Sequence, residues 1–329
     1  MTGTDAASGY HAVRTAVGLV DRGDAGVLEV SGRDRAAFLH AMLSNDINAL
    51  APGRGCAASF LDVHGKVQAL LVVLALEDRL LVLTPPGMAA PTLEMLDRYL
   101  FSEKAYLRDA TGESALLMLA GPAAPAVAER VAAQAPPAEA WSSVTAAAGA
   151  VPVRLVRGAG ETGEPEVWFL CEAAAGGTLR EALLAAGARP VGAEALEALR
   201  IEAGTPRFGR DVGPDVLLPE IPLAPFVSYT KGCYIGQEVV VRIRDRGHVN
   251  RHLRGLVLDG DAVPPPGAAV LAGDQEVGRV TSAAWSYGAK RPVALAFVRR
   301  QHAEPGTPVS VRSPAGVLAA TVTGLPIPR

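Results

Sequence analysis

The chain has 329 residues, 49% of them hydrophobic, and a formal charge of −3 at pH 7. That length holds one large domain or two to three ordinary ones, and the near-neutral balance excludes a protein that coats nucleic acid or membrane over its whole surface. With 35 glycines and 25 prolines it reads as a loop-rich globular chain, not a disordered or collagenous one.

Cys56, Cys171 and Cys233 lie far apart with no C-x-x-C, so neither a disulfide framework nor a self-contained thiolate site is expected, and a reducing compartment fits. No basic start leads into an apolar run, and the longest apolar stretch, residues 69–76, is too short for a membrane span. The expected location is the cytoplasm.

In chain order, residues 26–30 predict a short strand. After Ser31-Gly32, apolar residues Phe38, Leu39, Met42 and Leu43 follow helical spacing, with Asp34 in the first turn where a negative charge is favoured. A strand, a glycine turn at Gly121-Pro122 and a helix recur over residues 115–133, which suggests two related α+β layers. Between the copies, residues 56–61, 67–76 and 80–84 predict an antiparallel meander, with His64 exposed in its first turn. A helix is expected over 91–101, with Leu93, Leu96 and Leu100 on one face. Strands are expected over 151–156 and 166–171, and helices over 178–186 and 193–202. From Arg254 onward, short β-type runs at 256–258, 277–281, 293–297, 309–311 and 318–322 alternate with Gly and Pro clusters, which indicates a small barrel or sandwich. The domain boundary is placed near residues 247–251, giving 1–248 and 249–329.

The densest segment is Lys231-Gly232-Cys233-Tyr234-Ile235-Gly236-Gln237-Glu238. Ile235, Val239, Val240 and Ile243 have helical spacing, which places Cys233 just before a helix N-terminus with Lys231 two residues away. A positive helix end and a nearby ammonium make thiolate more accessible, although a cysteine also serves as a small buried apolar residue. A second segment, residues 200–206, predicts a helix ending at Ala203-Gly204 with Glu202 in its last turn, where a carboxylate meets the negative end of the dipole. Either a neighbouring arginine such as Arg200 or Arg207 compensates, or the carboxylate faces a ligand with two parallel N–H donors, such as the pyrimidine edge of a pterin.

Lys231 to Glu238 matches the K-G-C-[FY]-x-G-Q-E signature of the YgfZ family, and residues 200–204 resemble the R-[IL]-E-A-G segment of the glycine-cleavage T-protein superfamily to which that family belongs. Ser44-Asn45-Asp46-Ile47-Asn48 with Pro52, Gly53 and Gly55 resembles the superfamily's early loop, and residues 278–282 and 294–298 resemble its C-terminal barrel. The resemblance implies an α+β fold: a ring of two related, interleaved α+β subdomains plus a C-terminal antiparallel β-barrel, around a central channel that binds tetrahydrofolate. Aminomethyltransferases of the superfamily carry adjacent acids in the strand after the early turn, in a context like G-G-x-x-D-D. Ala69 and Leu70 stand there instead, which removes the group that would orient or deprotonate the reacting amine and disfavours the transferase.

Resemblance to YgfZ implies a folate-dependent accessory role in assembling or repairing iron–sulfur proteins, including those that modify tRNA. The expected site is Cys233 as the reactive thiol, Glu202 and Lys231 toward folate, and Gly232, Tyr234, Gly236, Gln237 and Glu238 as motif support. Lys231 either tunes the thiol or meets an anionic part of the folate. No stably bound metal is expected, because one cysteine cannot hold a cluster without a partner or a second copy. The expected partners are folate and iron–sulfur clients or assembly proteins. Lys231, Arg242, Arg244, Arg246, Arg251 and Arg254 oppose only Glu238 and Asp245 in one tract, a solvated face or an attraction for a folate tail, an acidic partner or tRNA. The alternative function is a folate-dependent one-carbon transferase.

Overall fold

In the computed structural model, which describes residues 6–222, 224–314 and 316–329, the apolar periodicities resolve into two layered sheets and a barrel. The chain runs α1 (Ala6–Thr15), β1 (Gly18–Asp21), β2 (Gly26–Ser31), α2 (Arg35–Met42), β3 (Gly55–Leu61), β4 (Val67–Ala75), β5 (Leu80–Thr84), α3 (Ala89–Asp97), β6 (Tyr106–Asp109), β7 (Ser114–Ala120), α4 (Ala124–Ala132), β8 (Ser143–Ala148), β9 (Val151–Arg157), β10 (Glu166–Glu172), α5 (Gly176–Ala185), β11 (Arg189–Pro190), α6 (Ala193–Ala203) and α7 (Gln237–Arg246). The barrel strands follow as β12 (Arg251–Leu258), β13 (Ala269–Ala272), β14 (Gln275–Ser286), β15 (Arg291–Arg299), β16 (Pro308–Ser313) and β17 (Gly316–Thr323).

One sheet has the order β3-β4-β5-β2-β6 and the other β11-β1-β7-β10-β9-β8. The two are interleaved, since β1 joins the second sheet before the chain builds the first and returns through β7. Strand alternation explains the layering. In β5, Leu80 and Val82 face the layer containing Phe38, Leu39 and Leu96 of α2 and α3, while Leu81 and Leu83 face the layer shared with Met118, Trp168 and Leu199. On the far side, α4 and α5 cover the second sheet through Val127, Leu179 and Leu183. The closed antiparallel barrel, β12-β15-β14-β13-β16-β17, has its own core, and a further cluster joins Leu253, Leu295 and Phe297 of the barrel to Leu61, Ile201 and Tyr234.

The meander and the α4 repeat form as the sequence patterns require, and of the expected barrel or sandwich it is the barrel that forms, with a sixth strand, β13, beyond the five expected runs. Several elements differ. The helix expected over 91–101 spans Ala89–Asp97, and Asp34 precedes α2 instead of lying in its first turn, with its carboxylate accepting the Lys104 N–H at 2.7 Å. β8, Ser-Val-Thr-Ala-Ala-Ala, carries little intrinsic strand preference and forms because β9 pairs with it along its length. Among the described residues no helix is long and apolar enough to cross a membrane.

Candidate functional site

The inner faces of the two sheets and the segments after α6 enclose a cavity of about 300 Å3. Its walls are mostly apolar, formed by Leu70, Leu83, Trp141, Trp168, Phe208 and Phe226. The two tryptophans meet edge to face with ring centroids 5.3 Å apart. The indole N–H of Trp168 is buried without a hydrogen-bond partner among the described residues. In β4, Ala69 packs into the outer layer under α2 and α3, whereas Leu70 faces the cavity. The second of the two positions where relatives of the superfamily are expected to carry acids is therefore an apolar part of the cavity wall.

The charged groups lining the cavity are Arg22, Glu161 and Arg207, of which the sequence patterns single out only Arg207, and that as a partner for Glu202. Glu161 sits in the loop between β9 and β10. Arg22 Nη1 donates to its Oε2, Arg207 Nη2 lies 3.6 Å from its Oε1, and the Arg22 guanidinium stands over the Trp168 ring at 5.4 Å. Burial alone would raise the Glu161 pKa, but the two guanidinium charges, Arg22 foremost, outweigh it and hold the carboxyl below its ordinary range. Behind it, the fully buried Glu166 accepts the Thr162 N–H at 2.8 Å and its hydroxyl at 2.9 Å, which fixes the loop; burial pushes the Glu166 carboxyl upward. The only sequence signal for this loop is its run Gly-Ala-Gly-Glu-Thr-Gly-Glu, a turn-rich stretch with two acids.

Glu202 is 1% exposed and does not line the cavity, although Gly204 and Thr205 just beyond it do. Its carboxylate accepts the Tyr10 hydroxyl at 2.8 and 3.0 Å and Arg14 Nη2 at 2.6 Å. The compensating arginine is therefore Arg14 of α1, not Arg200 or Arg207. Arg200, itself 0% exposed, pairs with Asp211 and Glu197 and donates to Ser282 Oγ, tying α6 to barrel strand β14.

The signature segment forms a loop leading into α7, with Gly232 and Cys233 exposed between the buried Lys231 and Tyr234. Helix α7 begins at Gln237 behind the cap Gly236, so Cys233 is exposed three residues ahead of that cap and outside the first turn. Gly236 has φ +80°, and a Cβ there would come within 2.5 Å of the Asp62 carbonyl oxygen in the β3–β4 turn, so both backbone angle and space require glycine. Gly232 meets no such constraint. Tyr234 is buried between the barrel and β4, its hydroxyl unpartnered among the described residues. Gln237 opens α7 and the exposed Glu238 lies in its first turn, where the dipole favours a carboxylate.

Lys231 is buried. Its ammonium lies over the Tyr234 ring at 4.8 Å and donates to the carbonyls of His40 and Leu43 at the end of α2, the latter at 2.5 Å. It acts there as a C-terminal cap that fastens the cysteine loop to the first sheet's helix layer. Burial pushes it down to about 8, while the charges of Asp46, Cys56 and Cys233 pull the other way. Beside it, His40 Nδ1 lies 3.2 Å from Asp46 Oδ1.

The basic tract separates in space. Arg251 bonds Glu220 at 3.0 Å and Arg254 the Ala303 carbonyl at 2.8 Å, so only Arg242, Arg244 and Arg246 stand exposed on α7, Arg244 stacked on Tyr229 at 4.4 Å. Among the described residues no group of three or more His, Cys, Asp and Glu side chains is placed to hold a metal ion.

Comparison with known proteins bears on this arrangement. The GCVT N-terminal domain model matches residues 4–231, and the glycine cleavage T-protein C-terminal barrel domain model matches residues 251–327. An aminomethyltransferase of Geobacillus kaustophilus is 32% identical over 331 residues, and one of Synechococcus sp. is 30% identical over 332 residues. Each alignment covers 97% of this chain and 89% of the relative. The solved glycine cleavage system aminomethyltransferase T from Bartonella henselae superimposes with a TM-score of 0.87 at 23% identity, covering 98% of this chain and 89% of that one, a likeness of fold.

Proposed function

The chain belongs to the glycine-cleavage T-protein family, and on that premise we propose that it binds tetrahydrofolate and assists iron–sulfur proteins instead of transferring aminomethyl groups. The observation that carries this reading is the separation of two features: an aromatic-walled cavity with Leu70 in place of an acid, and an exposed thiol at Cys233 that does not line it. The cavity fits the bicyclic head of a folate in size and character, since such sites are typically about 300–1,000 Å3 and largely apolar with a few polar groups. The tryptophans would flank the ring system and Glu161 with its arginines would meet its polar edge. Bound tetrahydrofolate supplies one-carbon chemistry, for which position 70 itself offers an apolar side chain and no carboxylate to orient or deprotonate an amine. Glu202 reaches a ligand only by giving up Tyr10 and Arg14, so its part is to support the wall.

Cys233 is the reactive thiol of this reading, and Lys231, Gly232, Tyr234, Gly236, Gln237 and Glu238 present it. A cluster is the cargo, held by Cys233 only together with ligands from a partner, because common clusters use four protein thiolates. Arg242, Arg244 and Arg246 suit an acidic protein surface beside the thiol. The three-residue patch is small for tRNA, and Tyr229 is already stacked under Arg244.

The test is titration calorimetry of tetrahydrofolate into the wild type and Cys233→Ala, with a turnover assay using an aminomethyl donor. Binding by both proteins, no methylenetetrahydrofolate formed, and loss of cluster-enzyme activity in a Cys233→Ala strain are expected. Production of methylenetetrahydrofolate would establish the second reading, an aminomethyltransferase, which the names of the relatives favour.

A further inference from the structure

The end of α2 carries a second group that turns toward the cysteine loop. His40 lies in the last turn of that helix, its side chain 15% accessible. Its Nδ1 is 3.2 Å from Oδ1 of Asp46, and the Asn48 N–H approaches the same nitrogen only at 3.4 Å. The nearer, charged partner takes the ring proton, so Nδ1 carries the hydrogen and Nε2 is left as an acceptor. That nitrogen faces Gly232, where a Cβ would meet it at 3.7 Å. Gly232 directly precedes the exposed Cys233, and a longer side chain there would fill the space between loop and imidazole. Lys231, the residue before Gly232, donates to the His40 carbonyl, so the loop is fastened to the residue that carries the ring. Burial first, then the Lys231 charge, hold His40 below the ordinary histidine value against the pull of Asp46, which leaves the ring neutral at pH 7 and able to accept a proton. The nearby Cys56 thiol, pushed up to about 12 by burial, keeps its own.

We propose that His40 is the base that takes the proton of Cys233, and that Asp46 positions it by holding the Nδ1 hydrogen. This role rests on Cys233 being the reactive thiol of the function proposed above, and it adds a residue that no motif in the sequence singles out. As Sγ forms its bond to an incoming iron ion, the S–H bond breaks and Nε2 accepts the proton. The ring becomes an imidazolium, stabilised by Asp46 and by the negative end of α2, and then releases the proton to water.

The test is the pH dependence of Cys233 alkylation by iodoacetamide, followed by mass spectrometry on the wild type, His40→Gln and Asp46→Asn, with glutathione as the free-thiol reference. In this step the sulfur–carbon bond forms, iodide leaves and the proton passes to Nε2. An unassisted thiol reacts only as thiolate, so its rate falls by about tenfold per pH unit below its ionisation, whereas a neutral imidazole acting as base keeps the rate level until the ring is protonated. Between pH 7.5 and 6.5, where Lys231 at about 8 keeps most of its charge, the wild-type rate should fall less than about threefold and that of His40→Gln about tenfold, like glutathione. Asp46→Asn should lie between them. Loosening of the loop multiplies the rate by a common factor at every pH and leaves the slope alone, so a merely structural part for His40 would not steepen it. The comparison of wild type with glutathione needs no variant and stands even if His40→Gln fails to fold. A wild-type slope equal to that of glutathione, or an equally level His40→Gln, overturns the inference, and loss of cluster-enzyme activity in the Cys233→Ala strain would then leave the proposed function standing without a base. A level, His40-dependent slope in a protein whose Cys233→Ala strain keeps that activity supports the base and removes the cluster role.

Discussion

The two segments that stand out in the sequence meet opposite fates. Residues 200–204 carry a glutamate at a helix C-terminus that invites a ligand, and the fold closes over it with Tyr10 and Arg14 from the first helix. Residues 231–238 carry a cysteine expected at a helix N-terminus, and the fold leaves it exposed on a loop pinned by Lys231 and Gly236. Both motifs combine glycine, a charge and a helix end. What separates them is the partner that a distant part of the chain brings: α1 supplies a buried cation and a hydroxyl to the first, whereas the end of α2 takes up the ammonium of the second and leaves the thiol free.

That contrast can be broken by substitution, and the largest effect belongs to the buried member. Glu202→Ala breaks the buried pair at Nη2 of Arg14, whose side chain is 8% exposed and whose Nη1 keeps Glu164, and takes the acceptor from the Tyr10 hydroxyl; it should cost about 2–4 kcal/mol in denaturant unfolding. A loss below ~1 kcal/mol would mean that water reaches the pair. Next is the pH dependence of Lys231. With its folded-state pKa at about 8 against an ordinary 10.5, the unfolded chain binds the extra proton between those values. Its contribution to stability therefore rises with pH across that window, by up to about 3 kcal/mol. The stability of wild type relative to Lys231→Met should improve accordingly from pH 8 to 10.5, and a flat difference would place the ammonium in water.

Gly236→Ala comes third, at about 1–3 kcal/mol, because a Cβ meets both a left-handed backbone and the Asp62 carbonyl. Faster alkylation of Cys233 should accompany it as the loop detaches. Cys233→Ser is smallest, within about 0.5 kcal/mol for an exposed side chain. Iodoacetamide at pH 8 should label the native wild type once and this variant not at all, since Cys171 is buried and burial pushes the Cys56 thiol up to about 12. Mass spectrometry showing label on Cys56 would open the first sheet's edge to solvent.

Local chemistry made much of the fold legible. The meander, the strand–glycine–helix repeat and the barrel strands announce themselves through alternating or helical apolar spacing bounded by Gly and Pro, signals that act over a few residues. β8 escaped because it is mostly small residues, and α1 because Tyr10 and Val13 are its only large apolar residues, so the structure of each comes from the layers it joins. The candidate site divides in the same way. Cys233, Gly236 and the substituted wall position Leu70 are visible in a motif or its departure, whereas Arg22, Glu161, Arg207, Trp141 and Trp168 come from separate parts of the chain and meet only across the gap between the sheets.

By itself the sequence determined family membership, the meander, the strand–glycine–helix repeat, the apolar faces and the presence of one cysteine in a glycine-framed signature, all of them properties of residues close together along the chain. Tertiary structure alone decided that Glu202 is a buried anchor, that Lys231 caps a helix, that the six-cation tract leaves three arginines exposed on α7, and that the polar groups of the cavity lie in the order Arg207, Glu161, Arg22. The reason is that burial and ion pairing are set by what approaches from elsewhere in the fold, and a carboxylate or an ammonium becomes an anchor or a contact according to the charge and solvent it meets there.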